Sequence, residues 1–209
     1  MRTPLILLAI LIALAGCKKT SIDDNNAPAP IFPNKVGDSW TYLVNDTSYY
    51  LSNPLSITQY TLTVSIVDSI VLPGAVHATV WVYHSPSRND TDYVFQNTDT
   101  VSFISKNGSS TEITRRYPVP FNLNNSWFYT WNSVDKVTVV SKAPVIVGTT
   151  DFVNASRILG RTGRPDELLG FDEWVADRVG IVKRYVDGSG TNNPFKYRRL
   201  WSLVSYHVE

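Results

Sequence analysis

The chain has 209 residues, a formal net charge of +1 at pH 7 and a hydrophobic content of 43%. This balance of charge excludes the strongly basic surface that nucleic-acid binding requires, so no nucleic-acid partner is expected. A single cysteine excludes an internal disulfide and a cysteine-rich metal site, so stability must come from an apolar core, which a chain of this length can supply.

The N-terminal segment has the pattern of a signal peptide. Its apolar run, residues 4–16, would reach only about 20 Å as a helix at roughly 1.5 Å per residue, whereas the hydrocarbon core of a bilayer is about 30 Å thick. A charged start, an apolar middle and small residues before a cut site are typical of secretion signals. The run ends in Leu14-Ala15-Gly16-Cys17, which resembles the lipobox of bacterial lipoproteins. The resemblance implies a signal peptide over 1–16 and lipid attachment at Cys17.

Residues 17–33 have the composition of a lipidated, flexible tether. They are polar and punctuated by proline, and they include Asp23-Asp24-Asn25-Asn26 and Ala27-Pro28-Ala29-Pro30. Such a segment cannot bury enough apolar area to order itself. Its acidic pair is also weakly similar to the surface-export signal of some lipoproteins. No second low-complexity stretch follows, so a single β domain is expected over 34–209.

Beyond the tether, apolar and polar residues alternate with period two, and the apolar positions are rich in valine, isoleucine and aromatic residues. This pattern predicts antiparallel strands with one buried face. The expected strands cover residues 61–66, 76–84, 92–96, 101–105, 110–114, 136–141, 152–159, 179–186 and 195–208.

One short helix is expected over 164–170. Pro165 and the acids Asp166 and Glu167 would occupy its first turn, and Gly170 would end it. The sequence therefore predicts an all-β fold with a single antiparallel, strongly curved sheet or half-barrel and this short helix. A β-sandwich is the alternative.

Two blocks carry a family resemblance. The first is Gly37-x-x-Trp40-x-Tyr42, and the second is Glu173-Trp174 followed by Val179-Gly180-Ile181-Val182-Lys183. Together they resemble uncharacterised lipoproteins of Gram-negative bacteria, in which the first block opens a strand and the second leads into a C-terminal hairpin. The resemblance implies an outer-membrane lipoprotein, at the periplasmic face or the cell surface. It supplies no catalytic residue.

The sequence offers little catalytic chemistry, so no catalytic residue, metal site or cofactor is expected. Gly-x-Ser-x-Gly, His-Glu-x-x-His and calcium-loop patterns are missing, and the only imidazoles are those of His77, His84 and His207. Glycoside hydrolysis needs only two carboxyl groups. A pair could come from Asp166, Glu167, Asp172 and Glu173, although such acids more often form a solvated face.

Aromatic residues form two stripes at alternate positions. The first comprises His77, Trp81 and Tyr83, and the second comprises Trp127, Tyr129 and Trp131. Rings with polar edges can stack on sugars or line an apolar pocket, so these six are the candidate ligand-binding residues. Alternating rings can equally fill the core of a sheet.

We therefore expect a non-enzymatic envelope protein, held at the membrane by its lipid, that binds an apolar or glycan ligand or a partner protein. An envelope scaffold and a glycan-cleaving enzyme are the alternatives. A roomy pocket beside the stripes would favour binding, whereas tightly packed rings would remove that argument.

Overall fold

The computed structural model describes residues 32–51, 53–107, 110–128, 136–164, 167–190 and 195–209. These residues form twelve strands of one antiparallel sheet, which curls into a nearly closed, barrel-like shape. The strands are β1 (Ser39–Tyr50), β2 (Asn53–Leu72), β3 (Val76–His84), β4 (Asn89–Gln96), β5 (Thr100–Asn107), β6 (Ser110–Pro118), β7 (Ser126–Phe128), β8 (Lys136–Val147), β9 (Thr150–Arg164), β10 (Glu167–Ala176), β11 (Gly180–Gly190) and β12 (Phe195–His207).

The strand order is β6-β5-β4-β3-β2-β1-β12-β11-β10-β9-β8-β7. Neighbours in the sheet are therefore neighbours in the chain, except where β1 pairs with β12 and joins the first half of the sheet to the second. The prediction of an all-β, single, strongly curved antiparallel sheet is confirmed, and the two-sheet sandwich is not the fold.

The predicted helix over 164–170 is wrong. Strand β9 runs to Arg164 and β10 begins at Glu167, and the two pair continuously from Ala155 opposite Ala176 to Arg164 opposite Glu167. An isolated helix of two turns is marginal, because few hydrogen bonds offset the cost of its nucleation. Extending two strands that are already paired in a sheet needs no new nucleation step. Among the described residues there is no helix that could cross a membrane.

The core fills the concave side of the sheet, which we call the inner face. On β1 it is lined by Trp40, Tyr42 and Val44, all buried at alternate positions. The Trp40 ring stacks on Trp81 of β3, with centroids 4.9 Å apart and planes 16° apart. Phe103 of β5 meets Trp81 edge-on at 5.2 Å. Large rings therefore close the middle of the curved sheet.

The two blocks of the family resemblance contact each other. The Trp40 indole donates a hydrogen bond to the Val179 carbonyl at 2.6 Å, and the Tyr42 hydroxyl donates to the Ile181 carbonyl at 2.8 Å. Gly180 lies between these acceptors with φ +87, a conformation that favours glycine. The motif residues thus join the start of β1 to the start of β11.

The N-terminal described segment closes one end of the sheet. Phe32 is only 3% exposed, and its ring packs against those of Trp81, Phe103 and Tyr117 at 5.9 to 6.1 Å. Phe32 and Pro33, which the sequence assigns to the tether, are both buried. This segment enters beside Gly180, where β1 and β11 begin, at the end opposite the β1–β2 turn.

Side chains connect the terminal strands of the sheet. The Trp127 indole of β7 donates to the Arg116 carbonyl of β6. The Tyr117 hydroxyl of β6 donates to Glu173 Oε2 of β10 at 2.8 Å. Glu173 is fully buried, and its Oε1 lies 2.9 Å from Arg184 Nε of β11. The two terminal strands are therefore linked by the Trp127–Arg116 hydrogen bond, and β6 is also linked through Tyr117 to the Glu173–Arg184 ion pair of β10 and β11.

Candidate functional site

The first aromatic stripe belongs mainly to the core. Trp81 is 5% exposed, and its indole donates to Asn34 Oδ1 at 2.9 Å. The Tyr83 hydroxyl accepts from Arg115 at 2.6 Å, and Arg115 also binds Asp92 at 2.9 Å. Burial raises the pKa of Tyr83 well above its usual range. His77, on the same strand, is exposed, so the stripe does not form one surface.

The second stripe is described only at Trp127. Its ring is partly buried and its indole N–H is occupied by the Arg116 carbonyl. Tyr129 and Trp131 lie outside the described residues. The polar edges of Trp81, Tyr83 and Trp127 are therefore all engaged within the protein, which leaves these three rings poorly suited to bind a ligand through those edges.

The acidic residues of β10 do not converge. Asp172 and Glu173 are neighbours in one strand, so their side chains point to opposite faces. Asp172 accepts from Arg157 Nε at 2.9 Å, whereas Glu173 is buried beside Tyr117. The side chains of Asp166 and Glu167 fall outside the described ones. Within the described part of the chain, no three His, Cys, Asp or Glu residues are grouped to hold a metal ion.

A different surface arises because strands of unequal length lie side by side. Strand β3 ends where His84 pairs with Thr63, which is level with Thr41 of β1. Strands β1 and β2 continue together to Tyr50 opposite Asn53, and β12 accompanies β1 along its whole length. These three strands project about 30 Å beyond the end of β3, at roughly 3.3 Å per residue. Strands β11, β10 and β9 continue beside β12 in the same direction, to Gly190, Glu167 and Arg164.

The inner face of this projecting region carries a group of rings that we call the distal aromatic face. The register places Tyr60 and Trp201 on either side of the buried Val44, so these side chains share the inner face. The same alternation continues along β1 and β12 to the strand ends. The distal aromatic face comprises Tyr50, Tyr60, Phe195, Tyr197 and Trp201.

None of these five rings is fully buried. Phe195 is 54% exposed and Tyr50 is 44% exposed, and the two rings contact each other with centroids 5.2 Å apart. Tyr60, Tyr197 and Trp201 are partly buried. The surface is concave, because it continues the inside of the curled sheet.

Polar groups lie among the rings. Arg199 Nε donates to Asp46 Oδ2 at 2.8 Å between paired positions of β12 and β1. The Arg184 guanidinium lies 5.2 Å from the Trp201 ring centre. In the described part of the chain, the buried Trp201 indole N–H has no hydrogen-bond partner. The distal aromatic face thus combines apolar ring faces with a charged pair.

The lack of a side chain at one glycine makes room for one of the rings. Gly188 of β11 pairs with Tyr197 of β12, and a Cβ at Gly188 would lie 2.1 Å from the Tyr197 ring. Any larger residue would collide with that ring in its present position. Tyr197 can lie against the sheet because position 188 has no side chain.

Sequence reasoning missed all five of these residues, although a signal was present. Phe195, Tyr197 and Trp201 occupy positions of one parity in the C-terminal strand, as the rings of the predicted stripes do. Their density is lower than in residues 127–131. The local sequence does not show that a nearby strand, β3, ends before the level of these three rings.

No protein-family profile matches the chain, and no curated protein matches it significantly. Among solved structures, it is similar to a Parabacteroides distasonis protein provisionally described as a lipoprotein, with 13% identity and a TM-score of 0.42. It is also similar to a Bacteroides fragilis protein provisionally described as an exported protein with a YmcC-like fold, with 13% identity and a TM-score of 0.43. Each comparison covers 85% of this chain and 100% of the other. Neither similarity assigns a function.

Proposed function

We propose that the protein is a lipid-anchored, non-enzymatic component of the bacterial outer membrane that binds glycan chains through the distal aromatic face. The observation that carries this proposal is the set of five incompletely buried rings on one concave surface. Aromatic rings supply flat apolar area, and tyrosine and tryptophan add polar edges. A sugar ring presents the matching combination of apolar faces and hydroxyl groups.

The openness of this surface favours a glycan over a lipid. Pockets for apolar ligands enclose most of the ligand surface, but the middle of this sheet is filled by packed rings such as Trp40 and Trp81. The exposed ends of Tyr50 and Phe195 form a platform and not an enclosure. The Asp46–Arg199 pair offers both an acceptor and donors to sugar hydroxyls.

The proposed anchor leaves this platform accessible. Cys17 precedes the described residues in the chain, and the segment around Phe32 enters at the end where β1 begins. The rings of Tyr50 and Phe195 lie at the far end of β1, about 36 Å away at roughly 3.3 Å per residue. A lipid on Cys17 is detectable by mass spectrometry of protein purified from membranes. Release of a Cys17→Ser variant from the membrane fraction would support the same assignment.

Glycan binding is tested with a panel of soluble hexasaccharides, namely β-1,4-glucan, α-1,4-glucan and β-1,4-linked N-acetylglucosamine, by isothermal titration calorimetry. We expect at least one to bind, and Tyr60→Leu or Tyr197→Leu to weaken it at least fivefold. The matched control is Tyr185→Leu, because Tyr185 lies on the opposite face of β11 beside Asp187.

Three results would contradict the proposal. One is equal loss of binding in Tyr185→Leu and in the variants of the distal aromatic face. The second is no binding by any hexasaccharide while a fatty acid such as palmitate binds, which would assign the surface to an apolar ligand. The third is turnover of a bound hexasaccharide, which would assign the protein to an enzyme class.

A further inference from the structure

Part of one edge of strand β2 has no strand partner within the described residues. Strand β2 pairs with β1 from Asn53 to Ser65, but β3 covers its other side only from Thr63 to Leu72. Residues 53–62 therefore present one row of backbone N–H and C=O groups to solvent. An exposed row of this kind is a template for another extended strand.

The free edge lacks most of the features that prevent strand addition. Residues 53–59 are exposed on both faces, and residues 53–62 include no charged side chain. Pro54 and an irregularity between Ser48 and Tyr49 in the β1–β2 register protect only the tip. Ile57 is 75% exposed on the outer face.

The unpaired edge of β8, in contrast to that of β2, is protected against strand addition. Beyond its short pairing with β7, strand β8 contains Lys142 and Pro144 and two register irregularities. Charge, proline and bulges are the usual means of blocking strand addition. The contrast marks residues 53–62 as an edge on which pairing is not opposed.

We propose that a second copy of this chain occupies this edge, so that the two β2 strands pair antiparallel about a two-fold axis near Ile57. The unpaired segment of one copy has the same length as the strand that would pair with it, because residues 53–62 supply both. The charge is also matched, because an uncharged segment places no like charges opposite each other. Such an isologous contact closes on itself as a dimer.

The pairing has a geometric consequence. Antiparallel strands related by this axis keep their inner faces on one side of the sheet, so the two distal aromatic faces become neighbours. The two N-terminal segments leave from opposite ends, so the dimer lies along a bilayer instead of standing upright on it. The dimer does not depend on glycan binding.

Sedimentation of the full chain in mild detergent tests the proposal. We expect the unaltered chain to be a dimer at micromolar concentration, and Ile57→Lys to weaken dimerisation at least about tenfold, because the substitution places like charges opposite each other. Thr61→Lys, on the same edge, should act in the same direction. The matched control is Val71→Lys, which alters a 61% exposed residue of the same strand where β3 covers the edge.

Circular dichroism first shows that each variant keeps its strand content, so that a loss of dimer is not caused by unfolding. A monomeric unaltered chain overturns the proposal, as does a dimer that survives both edge variants or is lost equally in Val71→Lys. A monomer that binds a synthetic peptide of residues 53–62 would assign the edge to another extended partner and also overturn it. Glycan titration of Ile57→Lys reports on the distal aromatic face independently.

Discussion

Removal of a single hydroxyl group from Tyr117 tests how the curled sheet is closed. Tyr117 and Glu173 are both fully buried, and the phenol donates to the carboxylate at 2.8 Å. Tyr117→Phe preserves the ring and its contacts with Phe32 and Phe103, so it opens almost no cavity. The change removes the hydrogen bond from the phenol to a buried charge.

The magnitude follows from the kind of acceptor. Hydrogen bonds to charged groups contribute about 1.5 to 3 kcal/mol, compared with about 1 kcal/mol for neutral pairs. For a domain of this size, each kcal/mol lowers Tm by roughly 2 to 4 °C. We therefore expect Tyr117→Phe to lower Tm by about 3 to 12 °C, measured by circular dichroism at 218 nm and neutral pH.

Tyr42→Phe is the matched control. Tyr42 is also buried, and its hydroxyl donates to the neutral Ile181 carbonyl at 2.8 Å, so the same atom is lost from an equally enclosed ring. Its expected cost is about 1 kcal/mol. If Tyr42→Phe proves as destabilising as Tyr117→Phe, the buried Glu173 carboxylate does not hold the sheet closed in the way described.

Three further changes test other parts of the fold. Burial raises the pKa of both Tyr42 and Tyr83, so the unfolded chain releases their protons first, and the free energy of unfolding should fall above about pH 10 by up to about 1.4 kcal/mol per pH unit for each phenol. Urea titrations between pH 8 and 11 check this, and a Tyr42→Phe/Tyr83→Phe variant with an unchanged slope would contradict it. Gly160→Ala should cost about 1 to 3 kcal/mol in urea unfolding, because its Cβ would lie 2.7 Å from β8, whereas Gly170→Ala, with its nearest atom at 3.8 Å, should cost clearly less. Phe32→Ala should cost about 3 to 5 kcal/mol, and a loss below 1 kcal/mol would show that the N-terminal segment is not part of the core.

Local alternation was sufficient to predict the all-β class and nine of the twelve described strands, but not β1, β7 or β10. The prediction over 76–84 coincides with β3, where Trp81 and Tyr83 face inward. The helix prediction over 164–170 was wrong because Pro165 and Gly170 are as compatible with a turn as with the ends of a helix. The pairing of β9 with β10, which decides between them, depends on strands elsewhere in the chain.

The candidate site was less predictable, because exposure depends on which neighbours are present. Trp81 and Trp201 both lie at inner-face positions of strands, and their local sequence patterns are alike. Phe32 and Trp40 cover Trp81, whereas Trp201 faces the region beyond the end of β3. The two tryptophans differ in the cover that Phe32 supplies and in the relative lengths of the neighbouring strands. Both depend on parts of the chain distant from either tryptophan.

The same difference in strand length underlies both proposals. Because β3 ends at His84, the inner face beyond it stays open and the edge of β2 stays unpaired. The two consequences can still be separated, since Ile57 lies on the outer face and Tyr197 on the inner face of the same projecting region. If Ile57→Lys abolished glycan binding and dimerisation together while Tyr197→Leu abolished only glycan binding, the dimer would be a requirement for glycan recognition.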